Sequence, residues 1–285
     1  MMNNNLPHND KHSRFFEKTT IPYSRSKEDV WNDMMARINE GKKKPAAKTR
    51  KIIINWTAAA AITLFISLSA FVRFYSKTLY APPGQHLTQT LPEKSIVQLN
   101  AGTKLKYYPY WWRFSRISKL EGEAYFHVEE GKPFIVKSSQ GETKVLGTQF
   151  NIFARNTDYK VYCINGKVQV KSTTGKKKIL NTNQAVRVTD KGKMEYQTDI
   201  KVHQSIAWTK NQFVYTAAPL KEVLKEMERQ FDITIELDSS INGEYTGNFQ
   251  RGSSPETILN LIVRPFGLEV KQIHKTKYRI TKEEN

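Results

Sequence analysis

Cysteine is nearly absent: Cys163 stands alone in 285 residues. No intrachain disulfide can form, and zinc sites built on paired cysteines are excluded. The histidines (His8, His12, His86, His127, His203, His274) are dispersed, and none forms a helical pair of the HExxH kind. The chain has no GxSxG elbow, no P-loop and no GxGxxG stretch. An enzyme is therefore not expected, and neither is a metal or cofactor. Acids are scarce, with 27 Asp and Glu against 45 Lys and Arg, which leaves a net charge of +18. Taken alone, that excess suggests nucleic acid. A disordered chain is excluded by 39% apolar and 11% aromatic residues. Long hydrophobic runs are missing too, with one exception.

The exception is residues 52–72, IIINWTAAAAITLFISLSAFV, without a single charge. As a helix it spans about 31 Å, enough for a hydrocarbon core of ~30 Å. Trp56 near one end and Phe71, Phe74 and Tyr75 near the other suit membrane interfaces. A buried core helix is the plainer alternative. A signal peptide has a short basic leader and an apolar core of ~7–15 residues; here 51 residues precede a longer run. The reading is a retained single-pass anchor. Residues 41–51 (GKKKPAAKTRK) hold six bases and no acid, whereas only Arg73 and Lys77 are charged between the run and Glu93. The positive-inside rule places residues 1–51 in the cytoplasm and 73–285 outside. The first segment has twelve bases and six acids, the second 33 and 21. The surplus is thus split between a topogenic cluster and a diffuse outer excess, and export argues against nucleic acid.

In the cytoplasmic segment a helix is predicted over 26–40. Ser26-Lys27-Glu28-Asp29 sets a hydroxyl at N-cap and a carboxylate at N3. Val30, Trp31, Met34, Met35 and Ile38 then form one apolar stripe. A 51-residue tail cannot build a core around such a helix. The stripe is expected to dock on another protein in helix-in-groove fashion; packing on the membrane surface or a dimer partner is the alternative.

Residues 81–197 read as all-β, with short alternating runs between turn signals. Asn165-Gly166 between Lys160–Ile164 and Lys167–Lys171 predicts a hairpin. Ser139-Gln140-Gly141, Thr174-Gly175 and Asp190-Lys191-Gly192 mark further turns. A sandwich, a jelly roll or a solenoid-like stack of hairpins fits. From Phe213 the order strand–helix–strand occurs twice, with Pro219 and Pro255 at the helix starts. A small α+β domain of two similar halves is expected there.

Three features invite a chemical reading. Glu121, Glu123, Glu129 and Glu130 cluster, and on a strand Glu121 and Glu123 share a face; a surface pair is the reading preferred to acid–base work. Cys163 is read as a buried small hydrophobe. Tyr107–Phe114 (YYPYWWRF) is either a stacking platform for sugar or a cover for the β core. The first option gives a competing function, an anchored polysaccharide-binding module reading glycans through Trp111 and Trp112.

Several motifs occur in one order: Tyr80–Gln85 (YAPPGQ), Leu91–Ser95 with Val97–Thr103 (VQLNAGT), Leu120–Val128 (LEGEAYFHV), Lys132–Val136, Val145–Asn151 (VLGTQFN), Asn165–Val168 and Leu180–Ala185. They resemble the FecR family of transmembrane anti-sigma regulators over about 200 residues. Pro219–Leu224 and Thr246–Phe249 resemble the small domain that follows in Bacteroidetes-type members, similar to the short N-terminal domain of secretins and TonB-dependent transducers. Two places depart from the pattern: Glu93-Lys94 replaces the usual Asp-Gly turn, so a looser first hairpin is expected, and His127 stands where an acid is common.

The resemblance implies a chain in four parts: a sigma-binding tail over 1–51, a membrane helix over 52–72, a periplasmic β domain over 80–198 and the α+β domain over 211–283. It implies an inner-membrane protein that holds an extracytoplasmic-function sigma factor. A TonB-dependent outer-membrane transducer signals to the periplasmic part, and regulated proteolysis, including cleavage within the membrane, frees the sigma factor. Val30, Trp31, Met34, Met35 and Ile38 are then the sigma-contacting face. Tyr245, Thr246, Gly247, Asn248 and Phe249 are the candidate edge for transducer binding by strand addition.

Overall fold

The computed structural model describes residues 24–41, 46–238 and 241–283; the readings of residues 1–23 and of the basic run at 42–45 lie outside them. The chain divides into two compact units, Met1–Ile66 and Ser67–Asn285.

Helix α1 (Lys27–Gly41) starts at the predicted cap. Ser26 Oγ accepts from the Asp29 N–H at 3.1 Å, and Asp29 Oδ2 accepts from the Ser26 N–H at 3.2 Å. This is a reciprocal capping box with Asp in the usual Glu position. Glu28 and Asp29 also place acids in the first turn, where the helix dipole favours them. Helix α2 (Ala46–Phe74) contains the whole predicted apolar segment. Its stretch Asn55–Phe74 has a mean hydropathy of 1.7 and none of it is buried. Among the described residues no other helix is long and apolar enough to cross a membrane.

Thirteen strands follow: β1 (Lys77–Ala81), β2 (Leu87–Thr90), β3 (Ile96–Leu99), β4 (Thr103–Tyr107), β5 (Arg116–Val128), β6 (Phe134–Lys137), β7 (Gly141–Val145), β8 (Thr148–Arg155), β9 (Asp158–Asn165), β10 (Lys167–Ser172), β11 (Lys177–Asn181), β12 (Gln184–Val188) and β13 (Met194–Gln197). They form one sheet that curls over on itself. The first half of β5 pairs with β4 and β6, and its second half with β3 and β8. One wing runs β1-β4-β5-β6-β7-β10-β11 and the other β2-β3-β5-β8-β9-β12-β13. Alternate residues of both wings point into a shared core that includes Phe126, Phe134, Phe150 and Tyr159. The Phe126 and Phe150 rings stack with centroids 5.0 Å apart.

The predicted turns at 139–141, 174–175 and 190–192 each close a hairpin. The Asn165-Gly166 hairpin does not form. β9 pairs with β8 and β12, whereas β10 pairs with β7 and β11, so Gly166 (φ +94°) carries the chain from one wing to the other. A side chain there would press on the Gly147 carbonyl at 3.1 Å. The turn after β2 is tight rather than loose. Lys94 takes φ +74°, its N–H donates to the Leu91 carbonyl at 3.0 Å, and the Leu91 N–H donates to the Ser95 carbonyl at 2.8 Å.

A 3-10 helix over Val202–Lys210 leads into the last domain. Its elements are β14 (Gln212–Pro219), α3 (Leu220–Phe231), β15 (Thr234–Leu237), β16 (Glu244–Gln250), α4 (Pro255–Val263), β17 (Leu268–His274) and β18 (Lys277–Lys282). The two strand–helix–strand halves interleave: β14 pairs antiparallel with β16, and β15 pairs in parallel with β18, which continues to β17. α4 has the predicted cap, Ser254 Oγ accepting from the Thr257 N–H at 3.2 Å with Pro255 in the first turn. In α3 the predicted first-turn proline stands one residue earlier, as Pro219 is itself the N-cap.

Candidate functional site

All five residues of the predicted stripe lie on α1, and none is buried: Val30, Trp31, Met34, Met35 and Ile38 are between 38% and 56% exposed. At ~100° per residue they occupy an arc of about 140°. The opposite face carries Asp29, Asp33 and Ala36, with Asp33 paired to Arg37 at 3.3 Å. Apolar area of this extent on a capped helix, one aromatic and two adaptable methionines included, is a surface suited to a partner's groove.

The predicted edge at Tyr245–Phe249 forms most of β16. Tyr245 and Phe249 turn into the core, with Phe249 stacked on Phe213 at 5.1 Å and Tyr245 against Tyr215 at 6.1 Å. Thr246 and Asn248 face outward. Among the described residues β16 pairs only with β14, so no strand occupies its second edge. A partner strand added there would meet backbone groups, Thr246 and Asn248, and not the two rings.

The aromatic run Tyr107–Phe114 is divided. Tyr107 and Trp112 are core residues. The Trp112 ring meets Tyr107 at 5.5 Å and Phe134 at 5.6 Å edge to face, and its indole N–H donates to the Glu93 carboxylate. Only Tyr110 and Phe114 are largely exposed, so Trp111 and Trp112 do not form one flat platform for a glycan. Cys163 is fully buried, as expected, and burial pushes its thiol up to about 11.

The sequence reading did not find the polar seam between the last two domains. Glu123 points from the outer face of the second wing, as the strand parity with Glu121 requires, yet it is buried because the α+β domain covers that face. Asn151 and Asn100 donate to its two carboxylate oxygens at 2.9 and 2.8 Å. Asn100 also donates to Glu226 of α3 at 3.3 Å. Gln230 donates to Asn100 Oδ1 at 2.6 Å and to Glu226 at 2.7 Å, and its Oε1 accepts from His86 Nε2 at 2.9 Å. Arg229 grips the other Glu226 oxygen at 2.9 and 2.6 Å. Burial, and then the charge of Glu226, raise the Glu123 pKa. Burial would raise Glu226 as well, but the Arg229 and Arg155 guanidiniums outweigh it and hold that carboxyl low. Beside the seam lies a cleft of about 660 Å³ lined by Arg155, Lys160, Arg187, Tyr215 and Glu222 among others. Four of its charges form pairs: Lys160 meets Glu222 at 3.5 Å, and Arg187 meets Asp158 at 2.7 Å. The signal was present in α3, where Glu226 and Gln230 share the face of Val223 and Met227 and so had to be buried or paired.

The family model described as FecR protein matches residues 77–169, and the one described as FecR, C-terminal, matches residues 212–282. Together they span more than half of the chain, with α1 outside both. Two crystal structures of a proposed anti-sigma factor from Parabacteroides distasonis ATCC 8503, at 1.65 and 2.50 Å resolution, are similar to this chain. Each superposes with a TM-score of 0.66; they are 27% and 28% identical, covering 73% and 74% of this chain and 100% of their own. No curated protein matches the sequence. The chain thus belongs to the FecR family and is a regulator of the anti-sigma class.

Proposed function

We propose that the chain is an inner-membrane anti-sigma factor that holds an extracytoplasmic-function sigma factor through the apolar stripe of α1. The observation that carries this reading is the stripe itself: five apolar side chains on a capped helix that buries none of its residues. α2 supplies the membrane anchor, supported by its length and hydropathy. The basic flank at 41–51 sets the N-terminus in the cytoplasm and the β and α+β domains in the periplasm. There the second edge of β16, with Thr246 and Asn248 outward, receives the signalling domain of a TonB-dependent transducer. Proteolysis, within the membrane at its last step, then frees the tail with its sigma factor. A full-length chain that persists under inducing conditions while the sigma factor becomes active would remove that step.

The stripe is tested by titrating the full chain, in lipid nanodiscs, with the sigma factor it co-purifies with. Interface anchors of this kind are worth about 1–2 kcal/mol each on truncation, so Trp31→Ala with Met34→Ala weakens binding roughly thirtyfold to a thousandfold. Unchanged affinity with unchanged helicity overturns the contact face. The glycan-binding alternative draws no support from the divided aromatic run, since Trp112 is committed to the core.

A further inference from the structure

The exposed half of Tyr107–Phe114 has no part in the function above. Its position is set by topology. α2 ends at Phe74 and β1 begins at Lys77, so two residues, at most ~7 Å of chain, separate helix from sheet. β1 pairs antiparallel with β4, placing Lys77 opposite Tyr107. The loop that follows Tyr107 is therefore delivered to the end of α2. Three contacts bear this out: Tyr110 packs on Tyr75 at 5.0 Å and on Phe71 at 6.1 Å, and the Arg73 guanidinium lies over Trp111 at 5.0 Å. Trp111 packs in turn on Phe114 at 4.8 Å.

The loop is held rigidly. Backbone N–H groups of Trp111, Trp112, Phe114 and Ser115 donate to Tyr108, Pro109 and Trp111 carbonyls in successive turns, and Trp112 pins the loop into the core. Phe74 is 71% exposed, Phe114 65% and Tyr110 54%. Such a patch is large and aromatic, and in water it is unfavourable. Around it Arg73, Lys77, Lys106 and Arg113 are exposed, and no acid occurs in residues 73–92 or 103–120. Amphipathic rings with a cationic rim match the boundary between acyl chains and phosphate headgroups.

We propose that the Tyr108–Ser115 loop is a membrane seat: Tyr110, Trp111 and Phe114 lie in the outer headgroup region of the bilayer that α2 crosses, with Arg73 and Arg113 against lipid phosphates. The inference rests on the anchor reading of α2. It gives the β domain a fixed tilt on the membrane and keeps the Tyr75–Ser76 junction beneath folded protein.

The full chain in nanodiscs of phosphatidylethanolamine and phosphatidylglycerol, bearing a nitroxide at Tyr110→Cys or Phe114→Cys, tests the seat. Cys163 is too buried and its thiol too high in pKa to label, so it stays in place. Accessibility to oxygen and to a water-soluble nickel chelate reports depth, with Leu64→Cys as the helix reference and Lys191→Cys as the aqueous reference. The seat predicts oxygen-rich, nickel-poor signals at 110 and 114, shallower than at 64. Signals at 110 and 114 like those at 191, with position 64 in lipid, overturn the seat and leave the anchor standing. An aqueous signal at 64 overturns the anchor, and the seat with it.

Discussion

Glu123 and Glu226 share one buried seam, with Asn100 between them, but their environments drive them in opposite directions. Glu123 has two amide donors and no cation in direct contact; Glu226 has Arg229 in two hydrogen bonds. For Glu123 the folded pKa lies above the unfolded value. Its contribution to stability is fully present below the unfolded pKa and is lost as pH rises through the folded one. For Glu226 the folded pKa is depressed, so its contribution is present above the unfolded pKa and is lost as pH falls through the folded one. Two substitutions separate them. Glu123→Gln gains on the wild type as pH rises from about 4 to about 8, because the variant no longer has to keep a second carboxylate charged. Glu226→Gln instead loses ground as pH rises toward the free-carboxylate range of about 4.3, then keeps a constant deficit of about 3 kcal/mol up to neutral pH, because Arg229 loses its counter-charge. Thermal unfolding across pH, with the chain in detergent micelles, checks both slopes; parallel slopes for the two variants contradict the assignment. None of this was legible from Glu121 and Glu123 on their strand. The parity was right, but nothing in the β segment says that another domain will cover that face.

The same limit governs the elements. The strands and the short hairpins were legible because alternation and turn chemistry are local. Which strand pairs with which was not. Chain crossings between the two wings occur at Gly84, Gly102, Gly131, Gly147, Gly166 and Asn183, and within β5 at Gly122. Asn165-Gly166 carries the local signature of a hairpin, but the corner it makes is decided by where β7 and β8 already lie. Gly122 shows why such corners demand glycine: it has φ +121°, and a Cβ would stand 2.5 Å from Thr103 Oγ1 and 2.7 Å from Thr103 Cα. Gly175 also has positive φ, but nothing lies within 4 Å. Gly122→Ala is expected to cost about 2–4 kcal/mol, from strain and from forcing β4 away, and Gly175→Ala about 1 kcal/mol, from strain alone. Denaturant melts of the two variants give the comparison; equal losses would show that the Thr103 approach is not a real constraint. Lys94 makes the complementary point. A residue other than glycine occupies the left-handed corner after β2, while its neighbour Glu93 accepts from Trp112 and lies 4.0 Å from Arg116.

At the scale of the molecule, the charge surplus no longer points to nucleic acid. Part of it flanks α2 on one side, and the rest is spread over the exposed surfaces of the outer domains. The apolar run and the tail helix were legible because each is a local pattern: 21 residues without a charge in one, an apolar stripe at helical spacing in the other. The division of labour follows from that arrangement. In the proposed function, a short helix reaches the transcription machinery on one side of the membrane, and two folded domains joined by a buried polar seam await a signal on the other. The most direct test uses a photo-reactive amino acid placed in the full chain in living cells. At Met35 on the α1 stripe it is predicted to cross-link a sigma factor, identified by mass spectrometry, and at Ala36 on the opposite face it is not; at Thr246 on β16 it captures an envelope protein and no sigma factor. Sigma-factor capture at Thr246, or equal capture at Met35 and Ala36, or none at Met35, would contradict the account.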